Sequence, residues 1–314
     1  MSTEPLPRQT LSFLQRRFAE AGVRPKTQHG QNFLIDLNLL DILLEAANVS
    51  ADDVVLEVGT GTGSLTARLA QRAAAVVTVE LDPEMHQLAS EELHRFENVV
   101  MLRADALKGK NRINPVVRDA VAAQLAPVNA DAKTGNVPSP GRRLKLVANL
   151  PYSIATPLLS NLLAEERPPE TMTATIQREL AERLTAEPGS KDYGALSIWV
   201  QSQCRVEVLR ILPPEAFWPR PKVHSAFIQI TLDPALRGRI PDRKFFHDFL
   251  RSMFLHRRKF LRSQLLSAAG GRLDKPAVDA VLEWLGLDGT LRAERLDVDT
   301  MLTLCEAVRP AIAS

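Results

Sequence analysis

The feature of this sequence that most constrains its fold is an apolar run that leads directly into a glycine-rich loop. Residues 54–59 (VVLEVG) are apolar except for Glu57, and glycines then alternate with threonines as far as Gly63. A segment of helical period starts at Ser64. A strand, a glycine loop and a helix in this order let the backbone approach a ligand at the carboxyl end of a parallel strand. The sequence therefore predicts an α/β domain whose ligand site begins at this loop.

Strand-like and helix-like segments alternate along most of the chain. The spacing predicts helices over residues 64–74 and 83–93. The strand candidates are residues 54–59, 76–80, 99–105, 145–150, 173–177, 197–212 and 226–232. Such alternation forms a parallel sheet with crossover helices, whereas the last two candidates predict an antiparallel pair at the sheet edge. This combination resembles a Rossmann-like methyltransferase sheet more than a dinucleotide-binding one.

The pattern also divides the chain into an N-terminal arm and two predicted domains. Only helical patterns follow Pro234, so we expect a smaller all-helical C-terminal domain over residues 239–314. The Rossmann-like domain is predicted over residues 36–238. Residues 1–35 are interpreted as a basic N-terminal arm and a lead-in to the ligand site.

Residues 108–143 interrupt the strand–helix alternation of the larger domain. They are rich in Asn, Pro, Gly and Lys, which is typical of an inserted surface loop. Within them Asn114 and Pro115 stand as an N-cap and a first-turn proline, so they predict the start of a short helix.

Charge is unevenly distributed, although the net charge is only +2. Residues 36–105 contain thirteen Asp or Glu and four Arg, a balance of −9, so the remainder carries +11. Residues 243–272 contain eight Lys or Arg against the single acid Asp248, interleaved with five phenylalanines. These charges form either the solvated face of an amphipathic helical pair or a surface for a polyanion. The asymmetry favours nucleic acid as a partner.

The cysteines and the hydropathy of the chain indicate in which compartment we expect the protein and whether we expect a metal. Cys204 and Cys305 are far apart and offer neither a disulfide framework nor a metal-ligand spacing, so we expect a reducing compartment and no metal. No apolar segment approaches the roughly 18 residues of a membrane span, and no signal-peptide core is visible. The sequence predicts a soluble cytoplasmic protein without a membrane partner.

The acids around the glycine loop predict an adenosine-containing ligand. Ser64 stands where the dinucleotide fingerprint has its third glycine. Glu80 ends the second strand 21 residues after Gly59, where a carboxylate can accept both ribose hydroxyls, and Asp105 can receive the adenine amino group. Each acid can instead cap a helix, but together they converge on one rim of the sheet. Glu57 fits the ammonium group of S-adenosylmethionine, held directly or through water.

The segment Asn149-Leu150-Pro151-Tyr152 leaves a strand at the same rim. The Asn149 side-chain carbonyl and a following main-chain carbonyl, held by the fixed φ of Pro151, can accept hydrogen bonds from an exocyclic adenine amine. Tyr152 offers a flat face to a base that has left its stack. The alternative is that Asn149 caps the helix that begins near Ser153. With the glycine loop upstream, the segment predicts in-line methyl transfer without a strong base.

These motifs resemble the ribosomal RNA adenine dimethyltransferases of the KsgA type, which form N6,N6-dimethyladenosine at two adjacent adenosines near the 3′ end of small-subunit (16S) rRNA. The matching stretches are residues 30–34, the E-x-G-x-G-x-G loop, and residues 149–152, 176–184, 193–197, 217–227, 257–262 and 292–296. The last four lie outside the cofactor loop, so the match is much more specific than a shared methyltransferase fold.

The resemblance implies an enzyme with S-adenosylmethionine as its cofactor and the small ribosomal subunit or its precursor as its partner, with a role in subunit biogenesis. A monomer is the default expectation. The implied cofactor site, completed by the loop residues above, is Asn32, Leu34, Glu57, Gly59, Gly61, Gly63, Glu80, Asp105 and Asn149. The implied catalytic set is Asn149, Leu150, Pro151, Tyr152 and Phe217, with Phe217 as a second aromatic face opposite Tyr152. The implied rRNA contacts are Lys222, Arg257, Arg258, Lys259 and Arg262, through phosphate neutralisation.

Three other functions compete with this one. Enzymes that dimethylate an adenine of large-subunit rRNA and confer macrolide resistance typically have Ile at the position of Leu150 and lack residues like 217–223 and 257–262. A non-catalytic ribosome-assembly or nucleic-acid-binding factor on the same fold would not need Asn149, Tyr152 and Glu80. A DNA adenine methyltransferase usually carries Asp/Asn-Pro-Pro-Tyr, which is absent here.

Overall fold

The computed structural model describes residues 10–25, 30–126 and 141–312. The strands, β1 to β9 in chain order, are Phe33–Leu34, Asp53–Val58, Ala75–Glu80, Val99–Arg103, Arg143–Asn149, Thr171–Gln177, Cys204–Leu212, Phe217–Trp218 and Ser225–Leu232. The helices, α1 to α13, are Leu11–Glu20, Leu37–Ala47, Ser64–Ala70, Pro83–Leu93, Pro115–Leu125, Tyr152–Ala164, Arg178–Leu184, Ala195–Gln201, Pro234–Gly238, Arg243–Phe254, Leu261–Ala268, Lys275–Trp284 and Val298–Ile312.

The main sheet has seven strands in the order β4-β3-β2-β5-β6-β9-β7. β2 pairs in parallel with β3 on one side and with β5 on the other, and β9 is antiparallel to β6. Every residue of β2 and β3 is buried, as expected for parallel strands covered on both faces. Because the chain continues from β2 to β3 on one side and returns as β5 on the other, a crevice opens at the carboxyl end of β2. The predicted Rossmann-like α/β class is confirmed.

The prediction of one long strand over residues 197–212 is wrong in its first part. The segment Ala195–Gln201 is helix α8, and β7 begins only at Cys204. Ser197 Oγ accepts the N–H of Gly194 (3.1 Å) and donates to the carbonyl of Arg183 (2.6 Å), which fixes the first turn of the helix. Apolar residues that are buried all round do not reveal their period.

The predicted surface loop over residues 108–143 contains a packed helix. Asn114 Oδ1 accepts the N–H of Val116 (3.1 Å), as the N-cap signal predicts. Val117, Val121 and Leu125 of α5 are buried, and the helix packs against β2 and β3. Residues 115–125 are therefore a crossover helix between β4 and β5, while residues 127–140 lie outside the described part of the chain.

Packing divides the chain into two compact units. The first comprises Met1–Arg178 and Glu207–Thr231, and the second Glu179–Val206 and Leu232–Ser314. Residues 179–206, which the sequence pattern assigned to the Rossmann-like domain, thus belong with the C-terminal helices. The Trp199 ring is 1% exposed and lies 6.3 Å from the Phe246 ring, so its burial depends on α10.

Three further observations concern the described residues. None of their helices is long and apolar enough to cross a membrane. No group of three or more His, Cys, Asp or Glu side chains among them is arranged to hold a metal ion. Cys204 and Cys305 are buried free thiols.

A buried ion pair joins β2 to β5 at the amino ends of the strands. Asp53 is fully buried, and its carboxylate lies 3.0 Å from Lys145 Nζ and 2.9 Å from Arg143 Nε. Burial raises the pKa of Asp53, but the Ser50 N–H and the Lys145 ammonium outweigh it and keep the pKa below its ordinary value. Lys145 Nζ also donates to the carbonyl of Asn48 (2.6 Å).

We expect Lys145→Met to lower the free energy of unfolding by about 3–5 kcal/mol, because it leaves a buried carboxylate without its ammonium partner. Arg143→Met is the matched control, since Arg143 meets the same carboxylate but its side chain is 43% exposed, and it should cost only about 1 kcal/mol. Denaturant titration of both variants measures the difference. Equal losses would contradict the assignment of Lys145 as the main partner.

Candidate active site

The carboxyl ends of β2 and β3 border a cavity of about 290 Å³, a size suited to a small-molecule ligand. It lies within the first unit. The predicted site residues that line it are Asn32, Leu34, Glu57, Gly59, Gly61, Glu80, Asp105, Asn149 and Pro151. The cavity therefore brings together most of the predicted cofactor residues, while Gly63, Leu150, Tyr152 and Phe217 do not line it.

The glycine loop forms a cradle that side chains would fill. Gly59 and Gly61 have φ angles of +89° and +56°, in the region that favours glycine. A Cβ on Gly61 would lie 3.0 Å from the ring of Phe33, and one on Gly59 would lie 3.3 Å from the ring of Pro151. The two glycines thus let the lead-in segment and the Asn149–Tyr152 segment close on the loop.

Gly63 has a different function in the fold. It is the N-cap of α3 with a φ of +79°, and a Cβ there would lie 3.2 Å from the side chain of Leu93 on α4. Its lack of a side chain serves the packing of α3 against α4, so Gly63 is left out of the cofactor set proposed below.

Glu57 is the centre of a buried hydroxyl network. Its Oε2 accepts hydrogen bonds from Thr66 Oγ1 (2.5 Å) and Thr78 Oγ1 (2.7 Å). Thr60 Oγ1 lies 2.7 Å from Thr78 Oγ1, and because the Thr78 proton is used on Glu57, Thr60 must be the donor. Burial raises the pKa of Glu57 to about 8, although the hydrogen bonds from the two threonine hydroxyls act to lower it.

Glu80 is oriented by the backbone on both sides. The N–H of Gly61 donates to Oε2 (3.0 Å), and the N–H of Asp82 donates to Oε1 (2.9 Å). Burial raises its pKa in spite of these bonds. Asp105 is likewise fixed at the cavity wall, because its Oδ1 accepts the N–H of Leu107 (2.9 Å). Two oriented acidic groups therefore border the same cavity.

The Asn149 side chain is oriented by the lead-in segment. Its Nδ2 donates to the main-chain carbonyl of Asn32 (2.8 Å). Since a carbonyl can only accept, the amide nitrogen must face Asn32, and the amide oxygen Oδ1 is left as the acceptor for another group. This is the chemistry that the sequence predicts for Asn149.

The three residues after Asn149 lie in different surroundings. Leu150 is 2% exposed, and its N–H donates to the carbonyl of Thr175 (3.1 Å), so its side chain belongs to the core. Pro151 lines the cavity and precedes the first turn of α6. Tyr152 is partly exposed, and its hydroxyl lies 2.6 Å from Ser225 Oγ, which fixes the position of its ring.

Phe217 lies in the core instead of at the cavity. It is 3% exposed, opposite Leu34 in the β1–β8 pair, and packs in a cluster with Leu40, Leu43 and Phe227. The family resemblance implies that Phe217 is a second face for the base, but the structure gives this side chain no free face in its present position.

Several cavity residues were missed by sequence reasoning. Leu14 of α1 lines the cavity, although nothing in its sequence marks it as more than one apolar position of an amphipathic helix. Gln31 also lines it, and its Nε2 donates to Asp82 Oδ2 (3.2 Å). Its place in the stretch GQNFL is the signal that could have identified it. Thr60 also lines the cavity, but the sequence signal at this loop comes from the glycines on either side of it.

Two of the predicted rRNA contacts are engaged inside the second unit. Arg257 Nε donates to Glu294 Oε2 (2.5 Å), and its Nη2 donates to the carbonyl of Lys191 (2.7 Å). Arg262 forms a two-pronged pair with Asp279. Because these guanidinium groups already have partners within the second unit, they are left out of the rRNA contacts proposed below.

The other three predicted contacts are exposed. Arg258 and Lys259 lie in the turn between α10 and α11, and Lys222 lies between β8 and β9 in the first unit. Within the described part of the chain none of the three has an ion-pair partner. Their charges are therefore available to a phosphate.

Comparison with known proteins identifies relatives. The family model described as ribosomal RNA adenine dimethylase matches residues 22–307. The ribosomal RNA small subunit methyltransferase A of Clostridium botulinum is 36% identical over 279 residues, which cover 89% of this chain and 92% of that protein.

Solved structures show the same fold. A dimethyladenosine transferase from Plasmodium falciparum superimposes with a TM-score of 0.68 at 23% identity, covering 88% of this chain and 97% of that one. The 23S rRNA methyltransferase ErmE gives a TM-score of 0.59 at 23% identity, covering 88% and 99%.

We expect alanine at two loop glycines to have different effects. Both Gly59→Ala and Gly63→Ala force a positive φ on alanine, which costs about 1–2 kcal/mol of stability. Gly59→Ala should also weaken binding of S-adenosylmethionine at least about tenfold, because the new methyl group meets Pro151 at the cavity wall. Gly63→Ala should leave the affinity unchanged, because its methyl group meets Leu93. Calorimetric titration of both variants tests this, and similar affinity losses would contradict it.

Proposed function

The chain belongs to the ribosomal RNA adenine dimethylase family, and from that premise we propose that it dimethylates the N6 amine of two adjacent adenosines near the 3′ end of small-subunit (16S) rRNA. It is an enzyme that uses S-adenosylmethionine as its cofactor. The name of the Clostridium botulinum relative supports the small subunit as the target. The likeness to ErmE, at 23% identity, is a likeness of fold.

The cavity suits S-adenosylmethionine by shape and by charge. The loop at Gly59 and Gly61 is a cradle that a Cβ would fill. Acidic side chains border it, and no lysine or arginine among the described residues lines the cavity. Glu80 would accept the ribose hydroxyls, Asp105 would receive the adenine amino group, and Glu57 would hold the ammonium group. Asn32 and Leu34 of the lead-in segment would close over the cofactor. When bound, the cofactor supplies a methyl group carried on a sulfonium.

The observation that carries the proposed activity is the orientation of Asn149. Its amide nitrogen is committed to Asn32, so Oδ1 accepts an N–H of the adenine N6 amine. That bond, with a second to the Leu150 main-chain carbonyl, favours a nitrogen whose lone pair is free of the ring and directed at the methyl group. At each transfer the amine gains a methyl group and gives up a proton.

Tyr152 is the aromatic face that we assign to the target base. Its hydroxyl lies 2.6 Å from the Oγ of Ser225, the first residue of β9, and the ring follows Asn149 by three residues along the chain. A base outside its stack gains about 1–3 kcal/mol from an aromatic face. Phe217 is not part of this assignment because it is buried.

The partner proposed is the small ribosomal subunit or its precursor, and the chain would act on it as a monomer in the cytoplasm, with a role in subunit biogenesis. The exposed cations Lys222, Arg258 and Lys259 would neutralise rRNA phosphates. Such contacts position the enzyme without reading sequence.

The proposed reaction is tested by transfer of labelled methyl groups to unmethylated small subunits, large subunits and naked rRNA, followed by nucleoside analysis. Dimethyladenosine formed only in small subunits is the expected result. Label in large-subunit rRNA would overturn the substrate, and no label despite cofactor binding would favour a non-catalytic assembly factor.

We expect Asn149→Ala to lower the rate of methyl transfer by about 10²–10³, because a preorganised acceptor at the amine is lost. Asn161→Ala is the matched control, since Asn161 Nδ2 also donates to a main-chain carbonyl (Lys110, 3.1 Å) but lies outside the cavity. Single-turnover rates with saturating cofactor separate transfer from binding. Full activity in Asn149→Ala would exclude the acceptor function.

We expect the double variant Arg258→Ala/Lys259→Ala to weaken rRNA binding and to lower the salt slope by about 1–2, because about one counterion is released for each phosphate neutralised. Arg257→Ala should instead lower the stability of the second unit and leave the slope unchanged in folded protein. Binding isotherms at several salt concentrations measure the slope. The assignment is wrong if Arg257→Ala alone reduces it.

A further inference from the structure

The two oxygens of Glu57 are not equivalent. The carboxyl is 1% exposed and lines the cavity, and the hydroxyls of Thr66 on α3 and Thr78 on β3 both donate to Oε2. Two donors occupy both lone-pair sites of Oε2. With both hydroxyls donating to Oε2, a proton on this carboxyl would reside on Oε1, and Oε1 is the oxygen left for a ligand.

Glu57 has no cation to compensate its charge among the described residues. β3 contributes Thr78 and the nearby acid Glu80, and α3 contributes Thr66. Arg68 of α3 instead donates to the Ser64 carbonyl (3.1 Å) and interacts with Asp41 and Glu92. On α5, which packs against β2, Arg118 and Asp119 are exposed and lie 3.9 Å from each other. β5, the other neighbour of β2, carries Arg143 and Lys145 at its opposite end, where they meet Asp53. An isolated buried carboxylate is costly, and burial raises the pKa of Glu57 to about 8.

We propose that Glu57 is a neutral acid in the ligand-free protein and gives up its Oε1 proton when the ammonium group of S-adenosylmethionine binds beside it. The O–H bond of the acid breaks, its electron pair stays on Oε1, the proton goes to water, and the ammonium keeps its own protons. This inference rests on the proposed cofactor site. It adds the protonation state of Glu57 before the cofactor binds.

The pH dependence follows from this exchange. Below pH 8 the protein must lose a proton to bind, so affinity rises with pH by up to tenfold per unit as the pH approaches the pKa of about 8. Measurements between pH 6 and 7.5 stay below the pKa of about 8 of a free α-amino group, so the ammonium of the ligand remains charged.

The experiment is calorimetric titration of the full chain with S-adenosylmethionine at pH 7, in buffers of different ionisation enthalpy. We expect most of one proton to be released for each cofactor bound. 5′-Methylthioadenosine, which lacks the amino-acid part, should bind and release almost none. Cofactor binding without proton release would overturn this inference alone, whereas no cofactor binding at all would overturn the proposed cofactor site and the inference together.

Two variants identify the group that releases the proton. Glu57→Gln keeps an acceptor for the hydroxyls, so it should bind with no proton release and a flat pH profile between pH 6 and 7.5. If that variant does not fold, Thr78→Val tests whether Glu57 is the group that releases the proton. Loss of a donor to the carboxylate should move the midpoint of the pH dependence upward.

Thr173→Val is the matched control for Thr78→Val. Thr173 is a fully buried threonine on β6 whose hydroxyl has no hydrogen-bond partner among the described residues. This variant should keep the midpoint of the wild-type protein. An unmoved midpoint in Thr78→Val, or proton release retained in Glu57→Gln, would assign the proton to another group.

Discussion

The parallel pairing of β2 with β3 on one side and β5 on the other is the constraint on which the rest of the site depends. It brings the carboxyl ends of three strands to one edge of the sheet and opens a crevice where the connections diverge. The glycine loop leaves β2, Glu80 ends β3 and Asn149 ends β5. Groups that are far apart in sequence thus meet because each ends a strand of the same sheet.

The lead-in segment closes this crevice and orients its groups. The Asn32 carbonyl accepts a hydrogen bond from the side-chain amide nitrogen of Asn149. The Phe33 ring lies so close to Gly61 that a Cβ on this glycine would be 3.0 Å from it. Phe33 also lies 5.3 Å from the Phe18 ring, in a small apolar cluster apart from the main core. A single short segment therefore sets the acceptor that we assign to the target amine and forms one wall of the cofactor cavity.

Acidic groups at the cavity differ in how their charge is compensated. Backbone N–H groups orient Glu80 and Asp105, whereas the donors that Glu57 meets within the described part of the chain are hydroxyls. A hydroxyl stabilises an anion less than a cation does, so Glu57 depends on the cofactor for its counter-charge. The contrast with Asp53, whose buried carboxylate has Lys145 and Arg143, separates a structural acid from a ligand-binding one.

The sequence by itself determined the fold class, the glycine loop and the strand-end residues that line the cavity, because strand–helix alternation and residues at strand ends are local patterns. It could not separate α8 from β7, since residues buried all round show no period. Only the tertiary structure decided that Gly63 serves packing, that Phe217 is core, and that Arg257 and Arg262 are paired, while Arg258 and Lys259 have no ion-pair partner among the described residues. Charge and aromaticity are properties of a residue, but exposure and partners depend on segments distant in the chain, which no local pattern contains.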